Sequence, residues 1–209
     1  MKLLNEDQIK SGRSFNQYKI GYKNLYKNDN TMLPFIILET MLFYNPYPYT
    51  TLKTSNYITI FLFSENETEI INRFNLNPFN MCVQTIERTF VNKLFAICDY
   101  YLKDDYNRKS RHIYDVHMMW ESKLLDLNIV KNIIPNVIKD RQRHENINLS
   151  CNKGAKPVEI LNEIVSKKVF VDDYNAITVK LLYKKVDYSV AIKTIQAIIN
   201  SKILPEEIF

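Results

Sequence analysis

Glycine is scarce in this sequence. Of 209 residues only three are glycine, Gly12, Gly21 and Gly154, and no two of them lie within five positions of each other. A loop that points several backbone N–H groups at one phosphate needs glycines close together. The P-loop and the dinucleotide-binding fingerprint are therefore excluded. If this protein handles nucleotides, it does so without a glycine loop of its own.

Cysteine and histidine are equally few, with three of each. Cys82, Cys98 and Cys151 are odd in number and lack CxxC spacing, which favours reduced thiols over disulfides. The histidines show no paired ligand spacing, which argues against a zinc site.

Long apolar runs are also absent. Met32–Phe43 and Tyr57–Phe63 are too short or too interrupted to span a bilayer, and the acids Glu6 and Asp7 argue against a signal peptide. We therefore expect a cytoplasmic protein with no membrane partner. The net charge of +5 permits an anionic partner such as RNA without demonstrating one. The excess of Lys, Asn, Ile, Tyr and Phe is typical of an AT-rich genome.

The first part of the chain predicts strands. Aromatic and β-branched residues alternate loosely in Arg13–Lys23, and after the polar turn Lys27–Asn30 the run Leu33–Phe43 is typical of a buried strand. Ser55–Phe63 leaves strand and helix open. Farther along, a loop is expected to lead into the short strand Met81–Gln84.

From Glu87 onward the spacing becomes helical. Phe90, Leu94, Ile97 and Tyr101 form one apolar face, with the cap expected at Thr89 or just before it. After the charged linker Lys103–Lys109, Ser110 is expected to cap a second helix. The predicted buried stripe of that helix is Ile113, Val116, His117, Trp120, Leu124 and Leu127.

The remaining sequence predicts further helices, separated by a polar loop over Asn146–Pro157. Their predicted bounds are Ile129–Arg143, Pro157–Lys167, Asp172–Lys185 and Tyr188–Lys202. The fold class is therefore α+β. We divide it into an α/β part over residues 1–85 and a helical domain over residues 86–209.

Two charged residues lie beside apolar faces. Glu39 stands inside an apolar strand, where it either points to the solvent side or serves as a metal-binding or general-base carboxylate. Lys93 lies on the flank of its helix's apolar face. Either its stem packs while its ammonium reaches water, or its charge is aimed at a phosphate.

The second helix carries further candidates. Asp115 lies away from the apolar stripe, where it either pairs with Arg111 one turn earlier or lines a cleft together with Tyr114. His117 faces the stripe and is interpreted as a packed core histidine. His144 belongs to a basic helix end that we expect to be solvated.

Two segments together resemble a known family. Glu87–Leu94 (ERTFVNKL) and Arg108–Val116 (RKSRHIYDV) are similar to the AbiEii/AbiGii toxins, whose pattern is an ERTF-x-x-K helix followed by an SRH-x-YD helix. Upstream, a Tyr-x-Ile-x-Tyr strand and an Ile-Ile-Leu-Glu strand also match. The resemblance runs from about Phe15 to Trp120.

The resemblance implies a polymerase-β-like nucleotidyltransferase sheet followed by a helical bundle. It implies a toxin of abortive-infection and toxin–antitoxin systems that uses Mg²⁺ to transfer a nucleotide from an NTP to RNA such as a tRNA 3′ end. A cognate antitoxin is implied as a partner. By position in the motifs, Lys93 would contact the phosphates, Asp115 would assist catalysis or substrate positioning, Arg111 and Tyr114 would shape the same face, and Glu39 would support the metal.

The sequence departs from the family at one point. The family's Gly-Ser turn and DxD pair are absent, and the adjacent acids Asp104-Asp105 and Asp172-Asp173 cannot replace a DxD, because neighbours on a strand face opposite sides. We therefore expect the chain to begin after the DxD strand, either as the downstream product of a split gene or as a truncated or decayed copy. We expect it to be inactive alone and competent only if another chain, encoded upstream, supplies that strand. The alternative is a non-catalytic helical module that binds RNA or the antitoxin.

Overall fold

The computed structural model describes residues 1–23, 33–42 and 47–209. The expected turn Lys27–Asn30 and the end of the second strand at Phe43 lie outside these residues. In the described part, β1 (Lys2–Leu3), β2 (Phe15–Gly21) and β3 (Phe35–Met41) form an antiparallel sheet in the order β1-β2-β3. Both strands predicted in this region are confirmed.

The predicted burial of β3 is wrong. Phe35 is half-buried, the other six residues of the strand are exposed, and Leu38 exposes 52% of its surface. An apolar sequence shows where burial would be favourable. It does not show which other part of the chain covers the strand.

A second antiparallel pair joins β4 (Tyr49–Thr54) to β5 (Phe79–Gln84), with two short helices between them in sequence, α1 (Tyr57–Ser64) and α2 (Thr68–Arg73). Ser55–Phe63 is thus mainly helical. Asn56 caps α1 by accepting a hydrogen bond from the Thr59 N–H at 2.8 Å. The strand expected at Met81 begins two residues earlier, and β4 was not predicted.

The helical part begins with α3 (Ile86–Leu102) and α4 (Arg111–Glu121), followed by α5 (Leu127–Gln142) and α6 (Pro157–Lys167). Next come α7 (Val171–Asp173), a π-helical stretch (Tyr174–Thr178) and α8 (Val179–Leu181), and α9 (Tyr188–Asn200) completes the set.

All the predicted helices are present, and the bounds of α6 match the prediction. The stretch expected to reach Lys185 stops at Leu181. The predicted buried stripe of α4 is wrong at Leu124, because α4 ends at Glu121 and Leu124 is 72% exposed. The same applies to Leu127, which begins α5 and is exposed.

The hydrophobic core lies among these helices, and its buried members all fall between Phe90 and Leu204. Helix α3 is its central element and packs against α4, α5 and α6. Of the predicted face, Phe90, Leu94 and Ile97 are buried and Tyr101 is half-buried. The cap of α3 is Thr85, whose Oγ1 accepts a hydrogen bond from the Arg88 N–H at 3.3 Å.

Two buried ion pairs join α3 to α5 with opposite polarity. On α3 the first partner is a cation, Arg88, which contacts Asp140 Oδ2 at 2.7 Å. The second partner on α3 is an anion, Asp99, which pairs with Arg141. All four side chains are at most 7% exposed. The expectation of a solvated basic helix end is therefore wrong at Arg141, which turns inward because Asp99 compensates its charge.

Asp99 also holds the turn that follows α5. Its Oδ1 accepts a hydrogen bond from the Ser150 N–H at 2.8 Å, and Ser150 Oγ donates to the Phe95 carbonyl at 3.1 Å. The predicted loop over Asn146–Pro157 therefore contains an ordered 3₁₀ turn at Leu149–Cys151.

Most helices end in left-handed backbone without glycine. A residue with φ between 51° and 60° follows α1, α2, α3, α4, α6 and α9, and these residues are Asn66, Asn75, Asp104, Lys123, Lys168 and Lys202. After α1, α2 and α3, a backbone bond from the next N–H to the carbonyl five residues earlier closes the end, as in a Schellman motif.

The buried pairs lead to a stability prediction. We expect Asp140→Asn to lower the free energy of unfolding by about 3 kcal/mol, because it leaves the Arg88 guanidinium buried without a counter-charge. The matched control Glu159→Gln, in the exposed Lys156–Glu159 pair at 2.9 Å, should leave the free energy of unfolding almost unchanged, because water screens this pair. Urea unfolding measures both.

The double variant Arg88→Met/Asp140→Leu completes the test. It removes both charges and fills the space with apolar atoms, so it should recover most of the lost stability. Equal, small losses in Asp140→Asn and Glu159→Gln would show that the buried pair does not hold α3 to α5.

Candidate functional site

The two motif helices meet at a pair of opposite charges. Lys93 on α3 contacts Asp115 on α4, with 2.7 Å between Nζ and Oδ2. The side chains are 26% and 36% exposed, so the pair lies at the surface of the helix packing. The partner of Asp115 is thus on the neighbouring helix, and the expected surface pair with Arg111 one turn earlier is not the one that forms.

Packing places the lysine. Phe90 and Leu94 on either side of Lys93 in α3 are buried in the core, which holds the lysine stem on the flank of the helix. Ile113 and Val116 bury the opposite side of α4. Because both helices are fixed by apolar contacts, the lysine and the aspartate face each other across the seam between them.

A histidine completes this cluster. His112 Nδ1 lies 3.4 Å from Lys93 Nζ. Its ring stacks on Tyr100, with 5.4 Å between centroids, and the ammonium of Lys109 lies 4.8 Å from the centroid of the Tyr100 ring. The sequence alone assigns no role to His112. Its position in the SRH-x-YD motif, three residues before Asp115 on the same helix, is the sequence feature that could have indicated it.

The surroundings keep His112 uncharged. Burial lowers the pKa of His112 from 6.5 to about 3, and the positive charges of Lys93, Arg111 and Lys109 act in the same direction. Burial likewise raises the pKa of Tyr100. At neutral pH the cluster therefore contains an ammonium, a carboxylate and a neutral imidazole.

Asp173 holds the start of α4. Its Oδ1 accepts a hydrogen bond from the Arg108 N–H at 2.7 Å, and its Oδ2 accepts one from the Ser110 N–H at 3.0 Å. On sequence grounds Asp173 is only excluded as a replacement for the DxD pair, and its contact with the loop before the motif helix is not predicted. Ser110 occupies the N-cap position of α4 as predicted, but its hydroxyl contacts Thr178 Oγ1 at 2.7 Å and makes no capping hydrogen bond.

The other candidates lie in different places. Arg111 is exposed and close enough to influence the pKa of His112, while Tyr114 is half-buried against the core. Glu39 is exposed on β3 and accepts a hydrogen bond from Gln17 Nε2 at 2.8 Å. The functional roles of these three residues stay predictions. His117 is confirmed as a core histidine, buried and 2.7 Å from Thr194 Oγ1.

The described side chains do not form a metal site. Across residues 1–23, 33–42 and 47–209, no group of three or more His, Cys, Asp or Glu side chains is placed to hold a metal ion. At the motif seam Asp115 supplies one carboxylate, already paired with Lys93. Two-metal phosphoryl transfer needs several oxygen ligands, so this donor set does not fit Mg²⁺.

Two further expectations can be compared with the structure. All three cysteines are unpaired, as predicted, with Cys98 and Cys151 buried. In the described part of the chain, no helix is both long and apolar enough to cross a membrane.

Comparison with known proteins identifies the class. The family model described as the nucleotidyl transferase AbiEii toxin of type IV toxin–antitoxin systems matches residues 5–200. Because this match covers most of the sequence, the chain belongs to the AbiEii nucleotidyltransferase toxin family. No curated protein and no solved structure matches it. The resemblance drawn from the two helical motifs is thus confirmed, and membership implies use of Mg²⁺ and an NTP and a cognate antitoxin as partner.

The neutral histidine predicts a pH dependence of stability. Between pH 6.5 and about 3 the unfolded chain protonates His112 and the folded chain does not, so the free energy of unfolding falls as the pH falls through this window. The contribution is at most about 1.4 kcal/mol per pH unit.

His112→Asn removes this titration and should flatten the corresponding part of the profile. Urea unfolding of both proteins between pH 4 and 7 provides the comparison. Parallel profiles would show that His112 does not titrate differently in the folded and unfolded chains.

Proposed function

We propose that this chain is the part of a nucleotidyltransferase toxin that binds the NTP phosphates, and that the toxin transfers a nucleotide to RNA such as a tRNA 3′ end. The observation that supports the proposal is the contact between Lys93 and Asp115 across the α3–α4 seam. The two motifs of the family each supply one of these residues. Blocking a tRNA end would stop translation, which suits a toxin acting in phage defence.

Lys93 is assigned to the triphosphate. Its ammonium is a compact positive charge with three N–H donors, and one of these points at Asp115. A partly exposed ammonium held by a carboxylate is placed to contact an anion that arrives from solvent. Asp115 is accordingly assigned to positioning the lysine, and Arg111, exposed at the start of the same helix, to further contacts with the substrate phosphates. Tyr114 is assigned to shaping the same face.

The proposed reaction is an in-line displacement. The 3′ hydroxyl oxygen of the RNA forms a bond to the α-phosphorus of the NTP, the bond from that phosphorus to the bridging oxygen breaks, and pyrophosphate leaves. The hydroxyl proton passes to water. Lys93 stabilises the negative charge that develops on the leaving pyrophosphate.

We assign the metal-binding carboxylates to a separate segment. Mg²⁺ supplies charge neutralisation on the phosphates when it is bound, and the described residues do not form its site. Glu39 is retained as a supporting carboxylate only. The active toxin on this proposal joins the seam described above to a strand carrying the missing acids, supplied by a chain encoded upstream. The chain by itself is then inactive in the cytoplasm.

A second candidate function is binding without catalysis. Helix α1 supports it, because the helix is almost entirely apolar yet leaves several large side chains exposed, namely Tyr57, Ile58, Ile60, Phe61 and Phe63. An exposed apolar surface of this kind is typical of protein interfaces. We assign this exposed surface of α1 to contact with the cognate antitoxin. The division into two units, residues 1–85 and 86–209, is kept as part of the proposal.

Transfer activity tests the first proposal. The chain is incubated with labelled NTPs, Mg²⁺ and tRNA, with and without the protein encoded directly upstream. We expect labelling only from the pair, and a loss of at least about 100-fold in Lys93→Ala, because the lysine stabilises charge in the transition state. Lys131→Ala, an exposed lysine on α5, is the matched control and should keep the rate.

Two results would contradict this proposal. Labelling by the chain alone would overturn the proposed inactivity. An unchanged rate in Lys93→Ala would remove Lys93 from the site. If no pair labels RNA, the binding function gains support only when tRNA affinity falls steeply with salt, because phosphate contacts release counterions.

A further inference from the structure

We infer that His112 is a positioning residue that orients the Lys93 ammonium toward phosphate without neutralising its charge. This inference rests on the proposed function of Lys93 as the phosphate-binding group.

The argument starts from the donors of Lys93. An ammonium group has three N–H donors and no acceptor. Among the described residues, Nζ lies 2.7 Å from Asp115 Oδ2 and 3.4 Å from His112 Nδ1. Two donors are therefore directed at the protein, which fixes the direction of the third.

The contact determines the tautomer of the histidine. Because a charged lysine can only donate, His112 Nδ1 has to be the acceptor, and the ring proton has to reside on Nε2. A protonated imidazole would lose this acceptor and repel the ammonium. The groups facing the ring are Lys93 and Tyr100 from α3, Lys109 from the connecting loop and Arg111 from α4. This cationic, buried setting disfavours the protonated ring.

A neutral acceptor has an advantage over a second carboxylate. Lys93 already contacts one negative charge, so a second carboxylate beside it would outweigh the charge of the ammonium and weaken its attraction for a triphosphate. An imidazole directs the ammonium and leaves the local charge unchanged. Orientation and attraction for phosphate are thus supplied by different residues.

The ring itself is held in place. It stacks on Tyr100, with an angle of 26° between the ring planes, and Asp173 fixes the backbone of the loop directly before it. The acceptor atom is therefore not free to turn away from Lys93.

Two variants separate the acceptor from the ring. His112→Phe keeps an aromatic ring to stack on Tyr100 and removes the acceptor. His112→Asn places an amide oxygen near the position of Nδ1 and removes the ring. Circular dichroism and thermal melts confirm that both proteins are folded before they are compared.

NMR on the free chain gives the first result. In ¹⁵N-labelled protein at pH 7, we expect His112 to carry its proton on Nε2, and the ammonium of Lys93 to show a slowly exchanging signal. That signal should persist in His112→Asn and disappear in His112→Phe. A proton on Nδ1, or an unchanged ammonium signal in His112→Phe, would overturn the inference.

Binding of inorganic triphosphate gives the second result. Calorimetry should show an affinity about 10-fold weaker in His112→Phe and within about 3-fold of the wild-type affinity in His112→Asn. Equal affinities in all three proteins would overturn the inference. If the wild-type chain binds no triphosphate, the proposed function of Lys93 fails, while the NMR result still decides whether His112 holds the ammonium.

Discussion

The arrangement of the helices depends on charges that are buried in opposite order. Arg88 of α3 pairs with Asp140 of α5. Asp99 of α3 pairs with Arg141 of α5. Buried pairs of this kind contribute little net stability compared with apolar side chains, because removing each charge from water is costly. They do penalise mispairing strongly. A displacement of α3 against α5 would separate one or both pairs and leave a charge buried without its partner. The pairs therefore favour the observed packing of the two helices.

The geometry of the site depends on how α3 packs against α5. Helix α3 is fixed along one side by α5, and its other side carries Lys93 toward α4. A carboxylate from a different part of the chain, Asp173, receives two N–H groups of the connecting loop and sets where α4 begins. The resulting cluster is small and partly exposed. Its cation, Lys93, contacts one carboxylate, Asp115, and one neutral imidazole, His112. Such a cluster can receive an anion from solvent without first breaking a buried network.

The sequence predicted what depends on neighbours along the chain. The apolar spacing of Phe90, Leu94 and Ile97 defined α3, and Pro157, which is tolerated in the first turn of a helix, marked the start of α6. The motifs also singled out Lys93 and Asp115.

The sequence could not show what depends on distant segments. Lys93, the partner of Asp115, lies 22 positions away on another helix. Asp173, which accepts the hydrogen bond of the Arg108 N–H, lies 65 positions away. Periodicity within one helix cannot rank such partners against Arg111, which lies one turn from Asp115. The exposure of β3 was missed for the same reason, since coverage of a strand is a property of other segments. The roles of Glu39, Arg111 and Tyr114 remain predictions.

The shortage of glycine has an energetic consequence at the ends of the helices. Lys123, Lys168 and Lys202 adopt a backbone conformation that glycine adopts without steric cost, and each pays roughly 1 kcal/mol for its Cβ atom. Lysine codons are AT-rich and glycine codons begin with two guanines, so base composition opposes the residue that the backbone favours. A composition typical of an AT-rich gene is thus accompanied by local backbone strain at these helix ends.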